Sequence, residues 1–406
     1  MAYWITFLNR DADCDVARSQ FADSALWRVS LEAVRKIGHQ ALMAVSNGKL
    51  WVDPGVDGYH DLLPHTRGDE NHPSETNPWG ARPAYLADIN ESEALTAPGA
   101  LRSPDRDRIG RFVAEALDRC CEYSPTYLSV PQLPFTGDAT RHKGNRALAE
   151  AAGRWWRRHG QGIKAILPVI LTHHDQYRNR TERSKRLKVV GDCLRFSKAN
   201  RAWVVDSSFC DQVGYSTHTK RLGDLVAFHE ELLAEHRCRI VAGPYWATNL
   251  LLYARGIATH AGIGAGSAYQ YHIPSGYAPR AAAARIALPP LRRTVRAEPA
   301  LKRWLKSVCQ ELPTGDPGRK QLEVVLRDFD RYGARKVARQ QVAKSYRTWL
   351  EVLNLEGVSR EERALALYQD LSRAYVFAKR LKLPLPKTDG PGDPALLMQQ
   401  FMLNCL

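Results

Sequence analysis

Apolar runs of strand length punctuate the first 290 residues, and longer stretches with helical spacing of apolar positions separate most of them. The runs are 3–8 (YWITFL), 49–54 (KLWVDP), 126–131 (TYLSVP), 164–171 (KAILPVIL), 201–205 (RAWVV), 238–242 (CRIVA), 259–263 (THAGI) and 285–288 (RIAL). Helical patterns cover 31–43, 105–122, 145–159, 181–198, 222–236 and 248–255. Neighbouring antiparallel strands can be joined by a tight hairpin, whereas parallel strands need a long crossover, usually a helix. The alternation therefore predicts parallel strands with crossover helices. Runs apolar on both faces suit a sheet covered on both sides. Eight of them predict an α/β chain, a (β/α)8 TIM-type barrel over residues 1–296. A doubly wound open sheet is the alternative. No G-x-G-x-x-G follows the first strand, which argues against the dinucleotide-binding form of that alternative.

Two regions depart from the alternation. Residues 55–103 form a long irregular stretch rich in Pro, Gly, Asp and His, read as a loop insertion in the barrel. Ser103 and Pro104 suit the cap and first position of the helix that follows. Beyond residue 297 the patterns are helical only (301–312, 319–355 and 360–381), which predicts a basic helical C-terminal region over 297–406.

Lys and Arg number 58 against 43 Asp and Glu, a net charge of +15. An excess of that size points to a polyanionic partner, with nucleic acid first. Two stretches concentrate it. One holds Arg178, Arg180, Arg183, Lys185, Arg186 and Lys188 beside Tyr177; the other runs through Arg327, Arg331, Arg335, Lys336, Arg339, Lys344 and Arg347. A helix face of this kind can follow a phosphate backbone; it is equally read as a solvated face. No run of about 18 apolar residues marks a membrane span, and the N-terminus lacks the basic region of a secretory signal. The eight cysteines form no C-x-x-C, so reduced thiols in a cytoplasmic protein are expected.

In barrels of this type chemistry sits where strands end and loops begin. The residues at those positions are Asp53, Gln132, Thr172 with His173 and His174, Asp206 with Ser207 and Ser208, Gly243 with Tyr245 and Trp246, and Gly264, Gly266, Tyr269 and Gln270. Asp53 and Asp206 each end an apolar strand, so both carboxylates are expected to face one mouth. Each residue has a plainer reading. Asp53 before Pro54-Gly55 can set a turn. Asp206 can cap one, and the two histidines can fix a loop. The glycines 262, 264 and 266 can cradle a phosphate or permit close packing. Tyr245 and Trp246 can stack a base or fill a rim. Residues 53–72 mix Asp, Glu and His in a set suited to a divalent metal. No H-x-x-x-H or H-E-x-x-H spacing supports one, and no cofactor is predicted.

KLWVDPG, with Asp53 followed by a Gly-containing turn, and WWRRHGQGIKAILPVILTHHDQY, a helix running into a strand, resemble segments of the tRNA-guanine transglycosylase barrels and their DNA-directed deazaguanine-inserting relatives. The resemblance covers roughly 49–270 in order and texture. It implies a barrel that exchanges a base in nucleic acid, with one strand-end carboxylate as nucleophile and a second handling protons on the base. Carried onto this chain, Asp206 is the nucleophile and Asp53 the proton-handling group, with Tyr245 or Trp246 stacking the extruded base. Thr172-His173-His174 stands where the family has Gln-Gly, and the family's zinc cysteines are absent. Those departures keep a second expectation open: a catalytically silent barrel that binds nucleic acid or serves as a scaffold subunit of a larger protein complex.

Overall fold

β-strands close into an all-parallel barrel in the computed structural model, in the order β1 to β8, with β8 paired back onto β1. The structure describes residues 2–46, 48–56, 103–135, 139–160, 162–207, 215–244, 248–265, 284–354, 357–386 and 402, with the side chains of 140 and 215–219 left out. The strands are β1 (Trp4–Leu8), β2 (Leu26–Ser30), β3 (Leu50–Asp53), β4 (Tyr127–Ser129), β5 (Lys164–Leu171), β6 (Arg201–Asp206), β7 (Arg239–Ala242) and β8 (His260–Gly264). The helices within and around them are α1 (Asp11–Gln20), α2 (Leu31–Ile37), α3 (His39–Ser46), α4 (Arg106–Cys121), α5 (Ala139–His159), α6 (Arg180–Ser197), α7 (Tyr215–His236) and α8 (Thr248–Ala254).

The closed barrel is the expected fold, but its strands are not the expected eight. β2, with the sequence LWRVS, lacks an uninterrupted apolar run because Arg28 stands at its centre. The run at 285–288 is not a barrel strand. It forms β9 (Arg285–Leu288), which pairs antiparallel with β10 (Arg293–Arg296) in a separate two-stranded sheet. The helix expected over 31–43 is two helices, because Gly38 takes a left-handed φ of 81° between them. Asp105, not Ser103, caps α4; its carboxylate accepts the N–H groups of Asp107 and Arg108 at 3.0 and 3.1 Å.

Paired residues in a parallel sheet face the same side, and facing alternates along each strand. Followed from Ile5, one face runs through Leu26, Trp51, Tyr127, Lys164, Trp203, Val241 and His260, or positions two apart from them. It returns to β1 displaced by eight residues, the stagger expected of a (β/α)8 barrel. Ring contacts identify this face as the interior. Phe7 lies 5.6 Å from Trp51 and 5.5 Å from Trp203, and Trp51 and Trp203 meet edge-on at 5.5 Å. The bore is thus filled by aromatic side chains. Gly262 makes room for them: a Cβ there would stand 2.6 Å from the Gly243 carbonyl oxygen and 2.9 Å from the Phe7 ring.

The C-terminal part contains the β9–β10 hairpin, α9 (Pro299–Glu311), α10 (Pro317–Arg327), α11 (Arg335–Glu351) and α12 (Arg360–Arg380). The expected long helix over 319–355 is broken by a 3-10 turn at Phe329–Gly333. A second apolar core gathers Ile286, Leu288, Val295, Leu305, Leu322 and Phe377. Helices α11 and α12 also reach the barrel's own core through Tyr346, Trp349, Leu367 and Leu371. The Tyr3 hydroxyl donates to the Leu350 carbonyl at 2.8 Å, and Arg347 pairs with Asp23 and covers the ring of Trp4. No helix among the described residues is long and apolar enough to cross a membrane.

Candidate functional site at the C-terminal mouth

β2 and β3 run side by side with Arg28 opposite Trp51 and Ser30 opposite Asp53, so Arg28 and Asp53 both face the bore near its C-terminal end. Each is 3% exposed. The Arg28 Nη2 donates to the Asp53 Oδ2, and the other carboxylate oxygen accepts the Gly55 N–H at 2.8 Å. The guanidinium lies 5.2 Å from the ring centre of Phe7 and 4.8 Å from that of Trp203. Two aromatic rings thus help compensate a desolvated cation, in addition to its carboxylate. Trp203 is itself fixed by its indole N–H, which donates to the Gly243 carbonyl at 2.7 Å. Trp51 is fixed in the same way on Ser129 at 2.9 Å. Asp53 is therefore a positioned carboxylate on rigid strands, and it also sets the turn that its Pro-Gly neighbours suggested.

Asp206 does not share that mouth. Trp203 faces inward, so Val205 faces inward and Asp206 faces out, opposite Leu171 of β5. It is fully buried between the barrel and its outer helices. The Tyr177 hydroxyl donates to its Oδ2, Arg221 of α7 donates to the same oxygen at 2.8 Å, and the Arg221 Nε–H reaches the Tyr177 oxygen at 3.1 Å. Burial first, then the Asp206 charge, hold the Tyr177 hydroxyl well above its usual pKa, so it stays a donor. This triad joins β6 to the β5–α6 loop and α7. The expectation that Asp53 and Asp206 converge is corrected by the parity of a single residue.

The other strand-end residues divide between loop fixing and the edge of the mouth. Gln132 is 2% exposed; its amide donates to the carbonyls of Pro131 at 2.8 Å and Asn145 at 3.1 Å, while its Oε1 has no hydrogen-bond partner among the described residues. His173 accepts the Asp175 N–H at 3.2 Å and caps a short turn. The His174 Nε2 meets Asp224 of α7 at 2.8 Å, and Arg183 bridges Asp224 and Glu231. Both histidines thus help to fix the loop. Gly264 is buried opposite Phe7 and faces the bore. Tyr245, Trp246, Gly266, Tyr269 and Gln270 lie outside the described residues, as do Ser208 and the metal-suited segment beyond position 56. Among the described residues no group of three or more His, Cys, Asp or Glu could hold a metal.

The basic stretches are less exposed than expected. Arg183 is engaged with α7, and Arg186 is buried with its Nη1 donating to His142 Nε2 at 2.8 Å. Arg178, Arg180, Lys185 and Lys188 stay exposed where α6 leaves the C-terminal end of β5. Arg178 pairs with Asp175 at 3.0 Å and Lys185 with Glu182 at 2.7 Å. On α11, Arg335 and Lys336 are exposed and Arg339 is half-buried; Lys336 ties the helix to Asp15 of α1 at 2.8 Å.

Arg28, Tyr177 and Arg221 were not among the sequence candidates. Arg28 carried a readable signal, a cation inside a strand-length apolar run. Tyr177 was noted only as a neighbour of the basic stretch and Arg221 carried no signal, since only the packing of the β5–α6 loop and α7 against β6 unites them. The six described cysteines give no activated nucleophile: burial pushes each thiol up, Cys14 and Cys238 to about 11. Comparison with models of known protein families finds no match for this chain. Comparison with curated proteins finds no significant match either.

Proposed function

We propose that this chain is a nucleic-acid-modifying barrel protein that handles a base at the C-terminal mouth, with Asp53 as the working carboxylate and Arg28 positioning it. The observation that supports the reading most is the placement of Asp53: it faces inward at the end of β3, fixed by two hydrogen bonds, one of them from an aromatic-flanked guanidinium. The exposed cations at the start of α6 stand at the same end of the barrel, where a phosphate backbone needs them. The net charge of +15 agrees with such a partner. Asp206 serves as an anchor in this reading, so transglycosylase-like exchange through an Asp53–Asp206 pair gives way to chemistry centred on Asp53.

The test combines binding and turnover. Purified protein is incubated with single-stranded DNA, duplex DNA and tRNA, and release or exchange of a labelled base is followed beside retention of the polymer. Asp53→Asn keeps shape and removes charge. Turnover should fall by roughly 10²-fold or more while binding is retained. A second reading rests on the enclosure of Asp53, whose two oxygens are both engaged. There the barrel binds nucleic acid without altering it, as a subunit of a larger complex. Retention of polymer with no base release from any substrate selects that reading. Absence of polymer binding at low salt rejects both.

A further inference from the structure

The opposite end of the barrel has a composition that neither reading uses. The first inward-facing residues of β5, β6 and β7 are Lys164, Arg201 and Arg239. Arg201 and Arg239 are direct register partners on adjacent strands, about 5 Å apart at their backbones. The Arg201 guanidinium lies 4.6 Å from the ring centre of Tyr127, and the Lys164 ammonium lies 5.6 Å from the same ring. Among the described residues none of the three pairs with a carboxylate. His260, the first inward residue of β8, adds no counter-charge: burial, then the charges of Arg201 and Arg239, push its pKa down to about 4.

The turns leading into this end repeat the pattern. Left-handed backbone before a strand is supplied by glycine at Gly48, Gly162 and Gly256, and by Ser124 before β4. Before β6 and β7 the same conformation is held by exposed cations, Lys198 at φ 62° and Arg237 at φ 48°. Left-handed backbone disfavours side chains other than glycine's. Both cations stand at the C-terminal ends of helices, Lys198 after α6 and Arg237 after α7, where a positive charge also meets the negative end of the helix dipole.

We propose that the N-terminal mouth of the barrel is an oxyanion site, in which Lys164, Arg201 and Arg239 receive a phosphoryl group. Two guanidiniums on adjacent strands present planar donor pairs that match phosphoryl oxygens, and the ammonium adds a third charge from the next strand. A phosphoryl group relieves the repulsion among the three cations, which a single carboxylate cannot fully do. The site is at the far end of the bore from Asp53 and stands whether or not Asp53 does chemistry.

The test titrates the full chain at low salt with tripolyphosphate by calorimetry and with a fluorescent single-stranded oligonucleotide by anisotropy. The variant is Lys164→Gln with Arg239→Gln, both exposed side chains. The control is Arg157→Gln with Arg158→Gln, which removes the same charge from the nearby end of α5. We expect saturable tripolyphosphate binding that weakens about tenfold or more in the mouth variant and stays within about twofold of the parent in the control. A parallel loss with the oligonucleotide assigns the site to phosphates of a nucleic-acid backbone. Loss with tripolyphosphate alone assigns it to a free phosphoryl compound. The proposal is overturned by any of three results: no saturable binding by the parent, equal binding by the mouth variant, or an equal loss in the control.

Discussion

The two ends of the barrel solve the problem of inward-facing charge in opposite ways. At the C-terminal end Arg28 and Asp53, each 3% exposed, neutralise one another beneath Phe7, Trp51 and Trp203. At the N-terminal end Lys164 and Arg239 are exposed and Arg201 is half-buried, and no carboxylate meets them among the described residues. Depth decides which solution is available. A desolvated ion needs its partner inside the fold, while an ion at a wet rim can wait for one from solution. The closed end is therefore a place to hold a group still, and the open end a place to collect an anion.

The largest expected effect breaks the closed end. Arg28→Ala leaves Asp53 buried without its cation and should cost roughly 3–5 kcal/mol in urea unfolding. Arg221→Ala should do the same to Asp206, whose carboxylate is equally enclosed. Lys164→Ala at the open end should stay within about 0.5 kcal/mol. Equal losses at both ends would remove the contrast.

Two histidines sharpen it. Burial holds His229 down at about 4, against the pull of the Leu225 carbonyl that its Nδ1 contacts at 2.8 Å. His260 is held at about 4 by burial and by Arg201 and Arg239. A histidine with a depressed pKa binds fewer protons folded than unfolded, so its stability contribution is present above pH 6.5 and is lost as pH falls towards 4. His229→Gln should flatten that decline by at most about 3 kcal/mol. In NMR titrations Arg239→Gln should raise the pKa of His260 and leave His229 unchanged. Movement of both, or of neither, would show that the open end carries no local positive field.

Glycine substitutions give smaller losses than those of the two buried arginines. Gly262→Ala drives a Cβ against the Gly243 carbonyl and Phe7 and should cost roughly 1–3 kcal/mol. Gly162→Ala meets no atom within 4 Å but keeps a φ of 82°, and should cost about 1 kcal/mol through the backbone alone. Thermal unfolding of the two variants ranks them.

The barrel was legible because strand–helix alternation is a property of composition along the chain. The site was legible only in part. Asp53 and Asp206 look alike in sequence, each closing an apolar strand, yet β3 and β6 place them on opposite faces because facing changes with every residue. Parity can be counted only once register is known, and register is set by pairing with strands far away in the chain. Arg28 concealed β2 by interrupting its apolar run, although the same interruption marks a cation that must find a buried partner. The run at 285–288 has the texture of a barrel strand, but β10 follows it closely enough to form a hairpin, and the ring is already closed by β8. Glycine at 262 had two sequence readings, and the approach of Phe7 decides for packing.

In the proposed function Asp53 works at the mouth while Asp206 anchors the outer layer. Parallel base-exchange and polymer-binding assays on Asp53→Asn and Asp206→Asn, each with its unfolding midpoint, test it most directly. Both variants should lose stability, since each leaves a buried guanidinium without its carboxylate. The folded fraction of Asp53→Asn should lose turnover by roughly 10²-fold or more at unchanged polymer affinity, and the folded fraction of Asp206→Asn should keep turnover within a few-fold of the parent. Full turnover in Asp53→Asn, or a folded Asp206→Asn protein that binds polymer but has lost turnover, would contradict it.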